Sequence, residues 1–214
     1  MVKKIVGTGV LLVLALALQA GVKMYTLKSP DGKVKLEVTA GQGIAYSLFY
    51  DGRLLLKPSR IALHTDLPEA DHWENIRITG TKQRHVSETV QAPFYRVKEF
   101  GIDCNELELR LNNGFSLLMR AYNDGMAYRF VAGRKGEMTV VEERAEFNFA
   151  DDFEAYIPYS TNPKDPWNMA FQNFYTKAPL TQYNTELPAF LPLTVDAGAV
   201  KLTLLESDLE AYPG

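Results

Sequence analysis

The residue types that usually carry enzyme chemistry are present in this sequence but scattered. It has no glycine-rich phosphate loop, no HExxH motif and no Gly-x-Ser-x-Gly motif. The three histidines, His64, His72 and His85, lie far apart and form no metal-binding pattern with cysteine or clustered acids, which favours structural roles. A carboxylate pair for glycoside hydrolysis can be drawn from many glutamates, and spacing does not choose among them. Motifs alone therefore assign no activity.

A second candidate chemistry is the stacking of aromatic side chains on sugar rings. Trp73, Trp167, Phe171 and Tyr175 have suitable side chains, although aromatic residues of β-domains more often belong to the core. All but Trp73 lie in residues 159–183, which are dense in Asn, Pro, Gln and aromatic residues. Such a segment is too aromatic for a disordered linker, and a long ordered loop is usually functional. We therefore expect an ordered loop here, with core and sugar-binding roles both open.

The clearest local signal is a β-hairpin at residues 117–130. Strand-like alternation flanks Asn123-Asp124-Gly125, which predicts a type I′ turn with positive φ at its two central residues. Arg120 and Arg129 lie on arms that are otherwise largely apolar. We expect both arginines on the exposed face of a half-buried hairpin, so they are not evidence of catalysis.

Short strands separated by turns account for the first part of the chain. Residues 24–57 predict a four-stranded β-meander with turns at Ser29-Pro30-Asp31-Gly32, Gly41-Gln42-Gly43 and Asp51-Gly52. Pro58-Ser59-Arg60 is expected to break the pattern before a brief strand over residues 61–65.

The remaining strands complete the prediction of an all-β fold. Strand-like segments cover residues 76–90, 104–111, 138–141, 187–195 and 200–205, with Leu107, Leu109 and Leu111 on one face of the second. Glu142, Glu143 and Glu146 are expected on a solvated face. Turns roughly every eight to twelve residues, without an amphipathic helix, are typical of a β-sandwich.

Composition and charge exclude some classes of partner. The chain has 214 residues and a net charge of −3, which offers no electrostatic basis for binding nucleic acid or an anionic membrane. Its length allows a sizeable core. Cys104 is the only cysteine, so an internal disulfide and a thiolate metal cluster are excluded.

The amino terminus has the features of a secretory signal. Positive charge in residues 1–4 precedes an apolar run over residues 5–18, and small residues follow at Ala20 and Gly21. The run is short for a membrane-spanning helix, which needs about 20 apolar residues. We expect cleavage after Ala20, a mature domain over residues 21–214, and a periplasmic or secreted protein; a retained amino-terminal anchor is the alternative.

Four stretches, taken in order, resemble the amino-terminal domain of family 97 glycoside hydrolases. They are SPDGKVKLEV, YDGRLLLKPSRIAL, MRAYNDGMAYRF and LLESDLEAYPG, of which the last two are the most specific. The resemblance implies a β-super-sandwich like the galactose mutarotase fold. In the family this domain packs on a catalytic (β/α)₈ barrel, and members are exported α-glucosidases and α-galactosidases with calcium at the active site.

The resemblance also implies a role for the loop over residues 167–180. In the family this loop reaches over the barrel and contributes to the active site, where a Glu about three residues before a Tyr-Thr pair serves the calcium ion. Here the pair is Tyr175-Thr176, so that position is Gln172. A neutral carbonyl oxygen adds no charge to a calcium site, and we expect a weaker ligand. A loop amide that caps backbone groups is the alternative.

The chain ends where family members would enter the barrel, so we expect a domain without a catalytic acid, base or nucleophile of its own. It would support the barrel and bind an oligosaccharide substrate through Trp167, Phe171 and Tyr175. Two rivals remain. One is a stand-alone carbohydrate-binding β-sandwich; the other is a mutarotase-like epimerase, which would need one of the histidines to face a Glu in a cleft.

Overall fold

A computed structural model of the chain describes residues 23–160, 162, 164–165 and 173–207. Within them the chain is all-β, as the sequence predicts, and its one helical element is a 3-10 turn at Leu180–Gln182. No helix in this part of the chain is long and apolar enough to cross a membrane. The strands, in order, are β1 Lys23–Lys28, β2 Val34–Gly41, β3 Gly43–Tyr50, β4 Arg53–Thr65, β5 Ile78–Gln91, β6 Glu99–Leu111, β7 Phe115–Tyr122, β8 Gly125–Ala132, β9 Val140–Ala145, β10 Glu154–Ile157, β11 Thr176–Pro179, β12 Leu193–Asp196 and β13 Lys201–Leu204.

These strands form three antiparallel sheets. Sheet 1 has the order β1-β2-β3-β4-β9, sheet 2 the order β5-β6-β7-β8, and sheet 3 the order β11-β10-β12-β13. Sheets 1 and 2 share one apolar core, to which β2 and β3 contribute from one side and β6 and β7 from the other. Leu107, Leu109 and Leu111 are all buried in it, as predicted. The predicted β-sandwich is confirmed.

The meander is confirmed at its turns. The Gly32 N–H donates to the Ser29 carbonyl at 2.9 Å, which closes the Ser-Pro-Asp-Gly turn. Asp51 and Gly52 have φ of 49° and 78° and connect the paired residues Tyr50 and Arg53, which is the type I′ geometry.

Residues 117–130 form the predicted hairpin, but its turn differs from the prediction. Tyr122 pairs with Gly125, which leaves Asn123 and Asp124 as the two loop residues. Neither of them, nor Gly125, has positive φ, so the type I′ prediction is wrong at this turn. Instead the Asn123 Oδ1 accepts a hydrogen bond from the Asp31 N–H at 3.0 Å, which joins this turn to the first turn of the meander.

Pro58 does not break the fourth strand, contrary to the prediction. β4 continues to Thr65 through a bulge, because Tyr46 pairs with Ser59 while Leu48 pairs with Leu56. A proline is tolerated at a bulge, where no ladder hydrogen bond is required of it.

Asn148 holds the bulge in place. Its side-chain amide donates to the Pro58 carbonyl at 2.8 Å, its N–H donates to the Ser59 Oγ at 2.9 Å, and its carbonyl accepts from the Lys57 N–H at 2.7 Å. The hydrogen-bonding groups that stabilise the bulge thus come from a residue about ninety positions away in the chain. The local sequence pattern around Pro58 does not reveal them.

Several predicted limits also shift in the second half of the chain. The predicted strand over residues 187–195 is short and begins at Leu193, and the predicted strand over residues 138–141 begins at Val140. Glu142 and Glu143 are exposed as expected. Glu146 is half-buried and accepts the Arg60 N–H at 3.0 Å, so it belongs to the structure around the bulge rather than to a solvated face.

The shared core predicts a large difference between two otherwise identical substitutions. Leu109→Ala removes a side chain that is buried between sheets 1 and 2 and should lower the free energy of unfolding by about 2–5 kcal/mol. Leu205→Ala, at an exposed leucine, should change it by less than about 0.5 kcal/mol. Urea unfolding of both variants measures the difference, and equal effects would contradict the assignment of the core.

Candidate functional site

The base of the predicted loop is held in a fixed arrangement by two tyrosines. The rings of Tyr159 and Tyr183 lie 5.3 Å apart, and the Tyr159 hydroxyl accepts the Asn184 N–H at 2.7 Å. The Asn173 side-chain amide donates to the Tyr159 carbonyl at 2.9 Å, while its Oδ1 accepts the Phe174 N–H at 2.8 Å. Asn173 and Asn184 are therefore both hydrogen-bonded to Tyr159, whose ring contacts that of Tyr183.

Part of the expected loop is a strand. Thr176–Pro179 forms β11 and pairs with β10, with Lys177 and Glu154 joined by an ion pair of 2.8 Å. The ordered loop expected over residues 159–183 thus includes a short strand, which the sequence did not indicate because four residues are too few to show alternation.

Tyr175 is the predicted sugar-binding residue that lies within the described residues, and its side chain is at the surface. It is exposed beside Phe174, whose side chain is 93% exposed, where the chain enters β11. Sequence reasoning did not select Phe174, because neighbours in an extended segment give no sign of which one faces solvent. Trp167 and Phe171 lie outside the described residues, and their predicted role stays a prediction.

Trp73 belongs to the core, which is the alternative that the sequence favoured. Its ring packs against Phe115 and Phe130 at centroid distances of 6.0 and 5.2 Å. Its indole N–H donates to the Leu63 carbonyl at 3.0 Å, which satisfies the one polar atom that burial would leave unpaired. Trp73 is therefore not available to a sugar.

The histidines remain separate in the structure. The His64 Nδ1 lies 2.7 Å from an Asp71 carboxylate oxygen, and the His85 ring lies between Asn105 and Asp103, each 3.0 Å away. His72 is exposed. The described residues contain no group of three or more His, Cys, Asp or Glu that could hold a metal ion.

Gln172, the calcium ligand that the family resemblance implies, lies outside the described residues. Asn173, its described neighbour, has its Oδ1 occupied by the Phe174 N–H. Glu186 is exposed, and its N–H is bonded to Asn184. The implied calcium site therefore stays a prediction.

Sheet 2 carries a network of charges on the face turned away from the core. Glu106 on β6 accepts Arg84 Nε of β5 at 2.7 Å on one carboxylate oxygen and Arg120 Nε of β7 at 2.8 Å on the other. The Glu106 side chain is 5% exposed. Arg120 lies on the outer face, as predicted, but its side chain is half-buried and paired with Glu106 rather than free in solvent. Arg129 is exposed, as predicted.

The two arginines keep Glu106 ionised despite its burial. Burial is the largest single influence and raises the pKa of this carboxyl, but the hydrogen bonds and charges of Arg84 and Arg120 together outweigh it. The pKa of Glu106 therefore lies below its ordinary value. The network is structural chemistry, since a carboxylate locked on two guanidinium groups is a poor acid or base.

The described surface includes two clefts that are lined by an acidic residue. The first, of about 320 Å³, lies between the β2–β3 turn and the bulge of β4, and Glu146 is its one acidic lining residue among those described. The second, of about 480 Å³, lies between β1 and the β5–β6 pair, and Glu106 is its one acidic lining residue among the described residues. Glycoside hydrolysis usually requires two carboxyl groups at one site. Neither cleft provides such a pair from the described residues.

Comparison with known proteins shows what the chain is similar to. The model of the glycosyl-hydrolase 97 amino-terminal domain matches residues 27–214. A retaining alpha-galactosidase of Bacteroides thetaiotaomicron is 41% identical over 206 residues, which are 93% of this chain and 31% of that protein. A probable retaining alpha-galactosidase of Streptomyces bingchenggensis is 26% identical over 158 residues, which are 72% of this chain and 24% of that protein. The chain thus spans less than a third of the length of these relatives.

Two solved structures with low sequence identity to this chain share its fold. A glycoside hydrolase family 97 enzyme of Pseudoalteromonas sp. strain K8, in complex with acarbose, matches with a TM-score of 0.64 at 19% identity, over 80% of this chain and 26% of that one. A beta-arabinopyranosidase matches with a TM-score of 0.68 at 22% identity, over 80% of this chain and 29% of that one. These similarities establish the shared architecture.

The charge network predicts a stability difference that depends on pH. Because the folded-state pKa of Glu106 is depressed, its stabilising contribution is complete above the ordinary carboxyl pKa of 4.5 and is lost as pH falls through the folded-state value. Glu106→Gln should therefore lower the free energy of unfolding by about 1–3 kcal/mol at pH 7, and this difference from the unsubstituted chain should shrink below pH 4.5.

Urea unfolding between pH 3 and pH 8 measures this dependence. Glu137→Gln, at an exposed glutamate, is the matched control and should show no difference at any pH in that range. A Glu106→Gln difference that stays constant down to pH 3 would contradict the assignment of an ionised, doubly paired carboxylate.

Proposed function

This chain belongs to glycoside hydrolase family 97 as the family's amino-terminal domain, and on that basis we propose that it supports the catalytic barrel of an exported α-glycosidase and shapes its sugar pocket. The observation that carries the proposal is the family match over residues 27–214 together with 41% identity to a retaining alpha-galactosidase. Both curated relatives have that activity in their names, so we propose hydrolysis of α-galactosidic bonds with retention for the assembled enzyme.

The described surface suggests which part of the domain would meet the sugar. Phe174 and Tyr175 are exposed beside each other, and the Tyr159–Tyr183 pair fixes the backbone that carries them. An exposed aromatic on a rigid base is suited to contact an apolar sugar face, since little conformational freedom is lost on binding. We propose that these two rings form one wall of the sugar pocket, with Trp167 and Phe171 of the same segment.

Calcium and export are further parts of the proposal. In the assembled enzyme Gln172 would give a calcium ion one neutral oxygen. Calcium titration of activity before and after Gln172→Glu measures the half-saturating calcium concentration. An unchanged value would exclude Gln172 as a calcium ligand.

Export is measured by sequencing the amino terminus of the protein recovered from a bacterial periplasm. The recovered protein should begin at Gly21, and an intact Met1 would contradict cleavage.

Domain replacement tests the proposed function. In the chimera, residues 23–214 of this chain replace the matching domain of the Bacteroides thetaiotaomicron alpha-galactosidase. We expect α-galactosidase activity within about tenfold of the parent enzyme, and none from the parent enzyme without its amino-terminal domain. A folded but inactive chimera would contradict the proposal.

The isolated chain distinguishes the rival class of function. A barrel-supporting domain should show no heat of binding with α-galactosides up to millimolar concentration, because the barrel supplies most of the pocket. A stand-alone carbohydrate-binding domain should bind with a dissociation constant below about 1 mM, equivalent to about 4 kcal/mol. Isothermal titration calorimetry of residues 21–214 decides between the two.

Substitutions in the chimera test the sugar-facing wall. Phe174→Ala and Tyr175→Ala should each raise KM for an α-galactoside by roughly 5- to 30-fold, with less effect on kcat, because truncating an aromatic contact residue typically costs about 1–2 kcal/mol of binding. Val141→Ala, at an exposed residue of β9, is the control and should leave both constants unchanged. An unchanged KM in both aromatic variants would remove these rings from the pocket.

A further inference from the structure

The β5–β6 hairpin extends beyond the rest of sheet 2. The β6–β7 pairing ends where Cys104 pairs with Tyr122, whereas the β5–β6 pairing continues from Ser87–Asp103 to Gln91–Glu99. Five further residue pairs, at about 3.4 Å each, make an arm of roughly 17 Å before its connecting loop. We refer to residues 87–103 as the arm.

The two faces of the arm differ sharply in polarity. Because directly paired residues project to the same side, Val90, Phe100 and Ile102 share one face with Glu88. The opposite face is polar apart from one glycine, with Ser87, Thr89, Gln91, Glu99, Gly101 and Asp103.

The apolar face of the arm is opposite to the core face of the sandwich. Leu107 and Leu109, which pack in the core, are at odd positions of β6, whereas Phe100 and Ile102 are at even positions of the same strand. The side-chain period of two therefore turns the apolar residues of the arm away from the core. Nothing in the sandwich core requires apolar residues there.

The arm exposes an unusual amount of apolar surface. Phe94 and Tyr95 at its loop are 98% and 72% exposed, and Val90, Val97 and Phe100 are exposed as well. Aromatic side chains bury about 150–250 Å² each, so the exposed fractions of Phe94, Tyr95 and Phe100 alone can contribute roughly 300–500 Å². Inter-domain interfaces bury about 600–1,500 Å². An isolated two-stranded ribbon is at best marginally stable in water, so this arm is expected to be covered.

Charge favours one kind of partner. The outer face of sheet 2 continues into the apolar face of the arm. Its charged side chains give an excess of two positive charges, although the whole chain has a net charge of −3. The charged residues at its paired positions on β5, β6 and β7, and at Arg129 of β8, are Lys82, Arg84, Arg110, Arg120, Arg129, Glu88, Glu106 and Glu108. A second copy docked on the same face would bring like charges together, whereas a partner with an acidic surface would complement them.

From these observations we infer that the arm and the adjoining outer face of sheet 2 form the surface on which the catalytic domain of the assembled enzyme docks. The inference rests on the proposed function and specifies its partner surface. The apolar side of the arm would lie on the catalytic domain, and its polar side would face solvent. The exposed Arg110 and Arg129 of sheet 2 would meet acidic residues of the partner.

Hydrogen exchange in the chimera tests the inference. Backbone amides of residues 88–102 should exchange at least tenfold more slowly in the chimera than in the isolated chain, because docking removes them from solvent. The double variant Phe94→Ser with Phe100→Ser should return the exchange to the rate of the isolated chain. Thr89→Ala, on the polar face of the same arm, is the matched control and should keep the protection.

Each outcome bears on a separate claim. An active chimera whose arm exchanges as fast as in the isolated chain would overturn the inference and leave the proposed function intact. A folded but inactive chimera would contradict the proposed function, and the inference would fall with it. Sedimentation of the isolated chain as a dimer that the Phe94→Ser, Phe100→Ser variant dissociates would also overturn the inference, because the arm would then serve a second copy.

Discussion

The alternation of side chains along β6 is the constraint on which the rest of the structure depends. In a strand each residue faces opposite to its neighbours, so one register decides what is buried on both sides. Leu107, Leu109 and Leu111 fill the core against sheet 1. Glu106, directly before Leu107, is held on the outer face by Arg84 and Arg120. A shift of one residue would place leucines in solvent and a carboxylate in the core. The same strand then continues into the arm, where its apolar residues change face.

Much of this architecture can be predicted from local sequence. Alternation gives the strands of the meander and the inward face of β6, and Asp51-Gly52 forms the turn expected of it. The failures have long-range causes. Pro58 is accommodated by Asn148, and the Asn123-Asp124 turn is bonded to Asp31 of another hairpin, so neither geometry is determined by its own neighbours in sequence.

The candidate site was less accessible to sequence reasoning than the fold. Composition selected aromatics but could not distinguish Trp73, which completes the core, from Tyr175 and Phe174, which are exposed. Exposure depends on which sheet packs over a residue, and four-residue strands such as β11 show no periodicity to reveal it. The resemblance to family 97 supplied the function class and the parts that the chain itself does not show, namely the barrel and the calcium ion. The family match and the fold confirm the family and the β-sandwich, and the calcium ion stays a prediction.

The family assignment and the surface of the domain give one consistent account: a rigid sandwich that presents two aromatic residues near its loop and an amphipathic arm beside a basic sheet face. The most direct test of that account is the nucleotide sequence of the gene beyond the codon for Gly214. The account predicts an open reading frame of several hundred further codons that encodes the catalytic barrel with its acidic residues. A stop codon directly after Gly214 would contradict it, because the sandwich would then have no catalytic domain of its own to support.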